Sequence, residues 1–152
     1  MEITQACQDD VAELARLVYL NHLNEEPSHE AVDAFASDLA DWWGRRGDTH
    51  QAFIARAPGR ELVGMAWVAV VPRVPRPGAV NRISADIQTV FVLPDYRGQG
   101  IGSALVQAVA SYAKGLGALH VTVHSSPRAV PVYERLGFAS SRELLQRQVP
   151  EP

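Results

Sequence analysis

The stretch Val90-Phe91-Val92-Leu93-Pro94-Asp95-Tyr96-Arg97-Gly98-Gln99-Gly100-Ile101-Gly102-Ser103 decides how this chain is read. An apolar, β-branched run stops at a proline, three glycines follow at alternate positions, and a helical apolar pattern begins. The order is strand, tight loop, helix start. Glycines let backbone N–H groups approach an anion closely, and a helix start adds unsatisfied donors and the positive end of a dipole. A phosphate or pyrophosphate fits such a cradle. A P-loop would need Gly-Lys followed by Ser or Thr, and this stretch holds no lysine. A dinucleotide fingerprint starting at Gly98 and Gly100 would meet Ser103 where its third glycine belongs. It would also open a chain-initial βαβ unit and find an acidic residue after the next strand, where this chain has His124.

Outward from the loop, the pattern extends in both directions. Upstream, a strand from about Ile83 to Val92 follows two others, Gln51 to Ala57 and Glu61 to Val71, which Pro58-Gly59-Arg60 joins as a hairpin. Pro72-Arg73-Val74-Pro75-Arg76-Pro77-Gly78 reads as a loop. Two helices precede these strands. Asp9 or Asp10 can cap the first, with Val11, Leu14, Leu17 and Val18 at helical spacing. Ser28 can cap the second, with Val32, Phe35, Leu39 and Trp42 or Trp43 on one face. Downstream, Ile101, Leu105, Val106, Val109 and Tyr112 mark a helix that Gly115 and Gly117 end. His120 to His124 then reads as a buried strand, Ala129 to Leu136 as a short helix, and Ser140 to Val149 as a final edge strand. This is a mixed α/β layout on one central sheet.

Composition narrows the function. The 152 residues, 47% hydrophobic and 20% charged, suit one globular domain spanning residues 1–152. Fourteen Lys and Arg against 17 Asp and Glu leave a net charge of −3. A nucleic-acid binder normally carries an excess of positive charge, so no nucleic-acid partner is expected. Apolar runs such as Leu62 to Val71 are too short to span a bilayer, and no membrane partner is expected. The start Met1-Glu2-Ile3-Thr4-Gln5 has no basic-then-apolar signal, which points to a cytoplasmic location. A single cysteine, Cys7, excludes an internal disulfide and a cysteine-based zinc site, and no metal is expected.

Three blocks carry a resemblance to a known family. Arg97-Gly98-Gln99-Gly100-Ile101-Gly102 resembles the R/Q-x-x-G-x-G/A signature of the GNAT superfamily of N-acetyltransferases. Ala85-Asp86-Ile87-Gln88-Thr89-Val90-Phe91-Val92-Leu93-Pro94 resembles the strand leading into that signature. Ala129-Val130-Pro131-Val132-Tyr133-Glu134-Arg135-Leu136-Gly137-Phe138 resembles the family's "A-x-x-x-Y-E-K-L-G-F" ending. The resemblance implies an α/β (α+β) fold: one central mixed, mostly antiparallel sheet with its fourth and fifth strands splayed apart, flanked by about four helices. It implies acetyl-CoA as cosubstrate. Pantetheine would lie in the splay against the backbone of Val90, Phe91 and Val92. Arg97 and the amides of Gly98, Gln99, Gly100, Ile101, Gly102 and Ser103 would hold the pyrophosphate.

The implied chemistry is attack by an amine on a thioester carbonyl. An alkylammonium with a pKa of about 10 must lose a proton before or during attack. A strand amide, best that of Val92, can donate to the developing oxyanion. Tyr133 matches the tyrosine that relatives place beside the leaving sulfur as general acid. Asp86 matches the position where many relatives carry a glutamate base; its shorter side chain favours a route through water. His124, at the end of the fifth strand, has a pKa suited to proton transfer, although a surface role is the commoner fate of such a histidine. Ser126 stands where relatives often have Asn, and its hydroxyl can still bond pantetheine or a water.

The acceptor is a small-molecule or protein amine. Between residues 22 and 48, Glu25, Glu26, Glu30, Asp33, Asp38, Asp41 and Asp48 face only Arg45 and Arg46, a balance that would attract a cationic amine. The same charges also describe the wet face of an amphipathic helix, and Trp42 and Trp43 fit a core as well as a substrate box. An inactive CoA-binding sensor or regulatory module is the alternative; Tyr133 and Asp86 together favour an enzyme. The expected edge strand at Ser140 to Val149 would offer a surface for a homodimer.

Overall fold

The computed structural model describes residues 1–152. Its first element was not legible in the sequence: Glu2–Gln5 forms a short strand, β1, that pairs antiparallel with β2 (His50–Arg56), Ile3 opposite Ala55. Four residues with one apolar side chain are too brief for a period to register, so the strand exists only because β2 supplies a ladder. The helices α1 (Val11–Leu23) and α2 (His29–Gly44) follow. Ser28 caps α2 as expected, its Oγ accepting from the Ala31 amide at 3.1 Å. Asp10 precedes α1 but turns its carboxylate backwards, accepting from the Cys7 amide at 2.8 Å and from Arg56 at 2.7 Å. That ties the start of α1 to the end of β2.

β2, β3 (Leu62–Pro72) and β4 (Ile83–Val92) form an antiparallel core, and β5 (Val121–Val123) adds in parallel beside β4. The sheet order is β1-β2-β3-β4-β5. α3 (Ile101–Gly115) and the short α4 (Val130–Arg135) complete the chain's regular structure. Side chains alternate across a strand. In β3, Met65, Trp67 and Ala69 therefore face one way and Gly64, Ala66 and Val68 the other. Trp67 meets Trp42 and Trp43 of α2, edge-on at 6.2 and 5.1 Å, which marks the α1–α2 face. Trp43 is buried and donates its indole N–H to the His50 carbonyl at 2.9 Å, pinning the end of α2 to the start of β2.

α3 covers the opposite face, and Gly64 lets it come close. A Cβ there would stand 3.1 Å from Leu105 Cδ1, 3.3 Å from the Phe91 carbonyl and 3.4 Å from Ile101 Cγ2. The first turn of α3 is thereby held against the end of β4. One cluster of 26 buried residues, among them Leu14, Ile54, Met65 and Leu105, joins both faces through the sheet.

Two expectations fail at the C-terminal side. β5 is only three residues long and half-buried, because β4 flanks it on one side and no strand on the other. Residues 140–149 form no strand, and Leu144, Leu145 and Val149 are exposed. The loose alternation of Leu144, Gln146 and Gln148 finds no ladder, and without a partner an extended segment leaves its backbone groups to water. The homodimer surface expected from that edge strand loses its basis.

Candidate active site

The sheet opens in the middle of β4. Thr89 stands opposite Trp67 and Ile87 opposite Val68, so Gln88 has no partner on β3. A bulge of this kind bends its strand and increases the local twist. On its other edge β4 pairs with β5 only through Ala85, Asp86 and Ile87. Past the bulge the two strands part. Gln88, Thr89 and Val90 border the gap on one side and Val123, Ser125 and Ser126 on the other; Tyr133 of α4 reaches into the same cavity of about 150 Å³. His124 borders it too.

The backbone of β4 faces this gap at every second residue. Leu93 donates its amide to the Val63 carbonyl at 2.8 Å. In an antiparallel ladder the groups of Phe91 and Thr89 then also point at β3, whereas those of Val90 and Val92 point at the gap. Of the three residues expected to line the cosubstrate with backbone groups, Val90 and Val92 have that orientation. Phe91 serves differently: its ring lies 5.6 Å beneath the Arg97 guanidinium. Arg97 in turn donates Nε–H to the Val92 carbonyl at 2.9 Å.

The cradle follows at once. Gly98 and Gly100 adopt φ of +75° and +80°, a left-handed conformation that side chains disfavour. Gly100 is the N-cap of α3. The amides of Gly98, Gln99 and Gly100 donate to no protein atom, and those of Ile101, Gly102 and Ser103 head the helix without a loop carbonyl to bond. No acidic side chain stands in the first turn of α3. Free amides and the positive end of a 15-residue helix thus follow directly after β4, an arrangement suited to an anion.

Tyr133 is half-buried and packs edge-on against Phe138 at 5.4 Å. Burial pushes its phenol above the ordinary tyrosine value, so at neutral pH it is a proton donor. Asp86 stands apart from the cavity. Its carboxylate accepts from Thr122 Oγ at 2.9 Å, one ladder position back from the last β4–β5 pair. Val90, Ser126 and Tyr133 thus share one cavity, the glycine loop follows the end of β4, and Asp86 lies outside the cavity. Sequence reading passed over Gln88, Thr89 and Ser125. The available sign was the adjacent polar pair Gln88-Thr89, which breaks the alternation of Ser84 and Asp86 with apolar neighbours. No group of three or more His, Cys, Asp or Glu side chains is gathered to hold a metal, and no helix is long and apolar enough to cross a membrane.

The splayed sheet and amide cradle are the frame of a CoA-dependent acyltransferase, and comparison with known proteins gives the family. The chain matches the acetyltransferase (GNAT) family over residues 11–138, and it belongs to that family. It is 34% identical over 124 residues to a glucosamine 6-phosphate N-acetyltransferase of Trypanosoma brucei brucei, covering 82% of this chain and 80% of that protein. It is 29% identical over 135 residues to a mycothiol acetyltransferase of Propionibacterium freudenreichii, covering 84% of this chain but only 40% of that longer protein. Among solved structures, a Trypanosoma brucei acetyltransferase superposes with a TM-score of 0.75 at 28% identity, over 97% of this chain and 99% of that one. A predicted acetyltransferase from Clostridium acetobutylicum, determined with acetyl-CoA, shares the fold, with a TM-score of 0.70 at 18% identity over 97% of this chain and 95% of that one.

Proposed function

We propose that this protein transfers an acetyl group from acetyl-CoA to the primary amine of a small acceptor. The observation that carries the reading is the row of unpartnered amides from Gly98 to Ser103 at the head of α3, just beyond the end of β4, the strand that borders the gap. Amides without acceptors at a helix start favour a doubly charged pyrophosphate. The gap-facing backbone of Val90 and Val92 fits the amide-rich pantetheine arm as an added strand would fit. The relatives named above act, by their names, on glucosamine 6-phosphate and mycothiol, which supports a small-molecule acceptor.

When bound, acetyl-CoA supplies an activated thioester. The chain supplies the surroundings. The Val92 amide is the candidate donor to the negative charge that develops on the carbonyl oxygen. Tyr133, protonated and bordering the cavity, is the candidate acid for the departing thiolate. Asp86 is the candidate base, acting through water because it lies outside the cavity. The acceptor nitrogen gains a bond to the acetyl carbon, the C–S bond breaks, and the ammonium proton leaves towards Asp86 or solvent.

The test is a thermal-shift titration with acetyl-CoA, CoA, NADH and ATP, followed by an assay for free CoA. At a hundredfold excess over Kd a ligand adds about 2.7 kcal/mol, a rise of roughly 5–10 °C for a domain of this size. Stabilisation by the CoA compounds alone is the expected result; preference for NADH or ATP would overturn it. Binding without turnover on any amine would leave a sensor module instead. Asp86→Asn should flatten the rise of rate with pH, and an unaltered profile would remove Asp86 from the proton path.

A further inference from the structure

Gln88 and Thr89 border a second space on the α1–α2 face. Beyond them lies an open groove of about 410 Å³, walled by Val18 of α1, Phe35, Leu39 and Trp42 of α2, and Trp67 of β3. The volume is in the range of small-molecule sites. Because these two residues line both the groove and the β4–β5 gap, the end of the groove meets the place where the thioester would lie. Its chemistry is specific. Asp38 is the one charged side chain on it, exposed and in no ion pair. Trp67 is only 6% exposed, and its indole N–H has no hydrogen-bond partner. That nitrogen is itself covered by protein, so Trp67 contributes ring surface to the groove wall. Arg46 stacks 5.2 Å from the centre of the Trp42 ring but does not line the groove.

We propose that this groove is the acceptor site, and that it takes a primary amine on an apolar or aromatic body bearing no phosphate or other anionic group. The assignment rests on the acetyl-transfer reading above. Apolar walls bind the body. Asp38 draws in a cation and repels an anion. No cation lines the groove to meet a phosphosugar of the kind named for the trypanosomal relative, and Arg46 is held on the Trp42 ring and the Trp42 carbonyl. A cluster of three arginines, Arg73, Arg76 and Arg82, surrounds a separate cavity on the β3–β4 loop. That loop leaves β3 at Pro72, opposite Ile83, whereas the groove lies at Trp67, opposite Thr89. An unpaired phosphate against apolar walls is strongly disfavoured.

The test measures CoA release with acetyl-CoA and a panel of tyramine, 2-phenylethylamine, glucosamine, glucosamine 6-phosphate and a peptide with a free N-terminus. The expected result is a kcat/KM for the two arylalkylamines at least about tenfold above that for glucosamine 6-phosphate. Asp38→Asn and Trp42→Ala should each raise KM for tyramine about tenfold while kcat stays within about twofold, the sign of lost binding rather than lost chemistry. Calorimetric titration of tyramine into the CoA complex should show the same loss of affinity. Preference for glucosamine 6-phosphate, transfer to the peptide alone, or no transfer to either arylalkylamine overturns the proposal, as does a KM that both variants leave unchanged. The acetyl-CoA thermal shift on the same sample separates the two readings. With that shift intact, failure belongs to the groove; without it, the acetyl-transfer reading falls and the groove assignment with it.

Discussion

Arg97 donates its Nε–H to the carbonyl of Val92 at 2.9 Å, so the first residue of the glycine loop is locked to the last residue of β4. The same guanidinium lies over Phe91 at 5.6 Å, which adds a cation–π contact. The lock sets where the cradle stands relative to the gap, although Arg97 itself is exposed. Arg97→Ala should therefore weaken CoA binding about tenfold, or about 1.4 kcal/mol, with little change in Tm. Calorimetric titration and a melting curve on the same variant check it; unchanged affinity would mean that the glycine backbone holds its position unaided.

Gly100 separates two effects. At φ +80° any side chain is strained by about 1–2 kcal/mol, yet a Cβ would meet no atom within 4 Å. Gly100→Ala should lower stability by roughly that amount and keep measurable CoA affinity. Gly100→Glu should bear the same strain and also place a carboxylate among the cradle amides, reducing affinity more than about a hundredfold. Equal affinities in the two variants would refute the cradle.

Tyr133→Phe removes one hydroxyl from a half-buried ring and leaves its contact with Phe138. If the phenol protonates the leaving thiolate, kcat falls about a hundredfold while the Kd for CoA is unchanged. The pH dependence follows from the raised pKa. The phenol stays protonated up to and beyond its ordinary value of 10.0, so this group contributes no falling limb to the wild-type rate below about pH 10. Single-turnover rates across pH, wild type against variant, test both statements.

Asp10 links the start of α1 to β2 through Arg56, and its carboxyl carries a stability signature. Burial acts to raise its pKa, but hydrogen bonds from the Cys7 amide and Arg56 outweigh burial and hold it below the ordinary value of 3.8. A lowered pKa in the folded state stabilises above the unfolded value, and the benefit fades as pH falls through the folded one. Asp10→Asn should lose about 1–2 kcal/mol at pH 7, a deficit that shrinks below about pH 3.8. Urea unfolding at pH 7 and pH 3 measures it; an equal deficit at both would assign the loss to geometry instead of charge.

Much of this protein was legible before its coordinates. The strand Ile83–Val92, the loop, and the helix beginning at Ile101 lie where the pattern placed them, because proline, glycine and a 3.6-residue apolar period act over a few residues of chain. The cap at Ser28 is equally local. The misses share the opposite property. β1 and the absent final strand both turned on whether a distant segment offered a ladder, which no local period reports.

The site divides in the same way. That a tight glycine turn joins β4 to α3 and leaves amides free from Gly98 to Ser103 was legible in the sequence itself, since glycine takes the positive φ seen at Gly98 and Gly100 at little cost. Only the tertiary structure decided that Gln88 is the bulged residue, that Val90 and Val92 rather than Phe91 face the gap, and that Asp86 is engaged by Thr122 outside the cavity. Each of those depends on the register between strands distant in the chain. A shift of one residue in that register exchanges the groups pointing at a neighbouring strand for those pointing at a ligand.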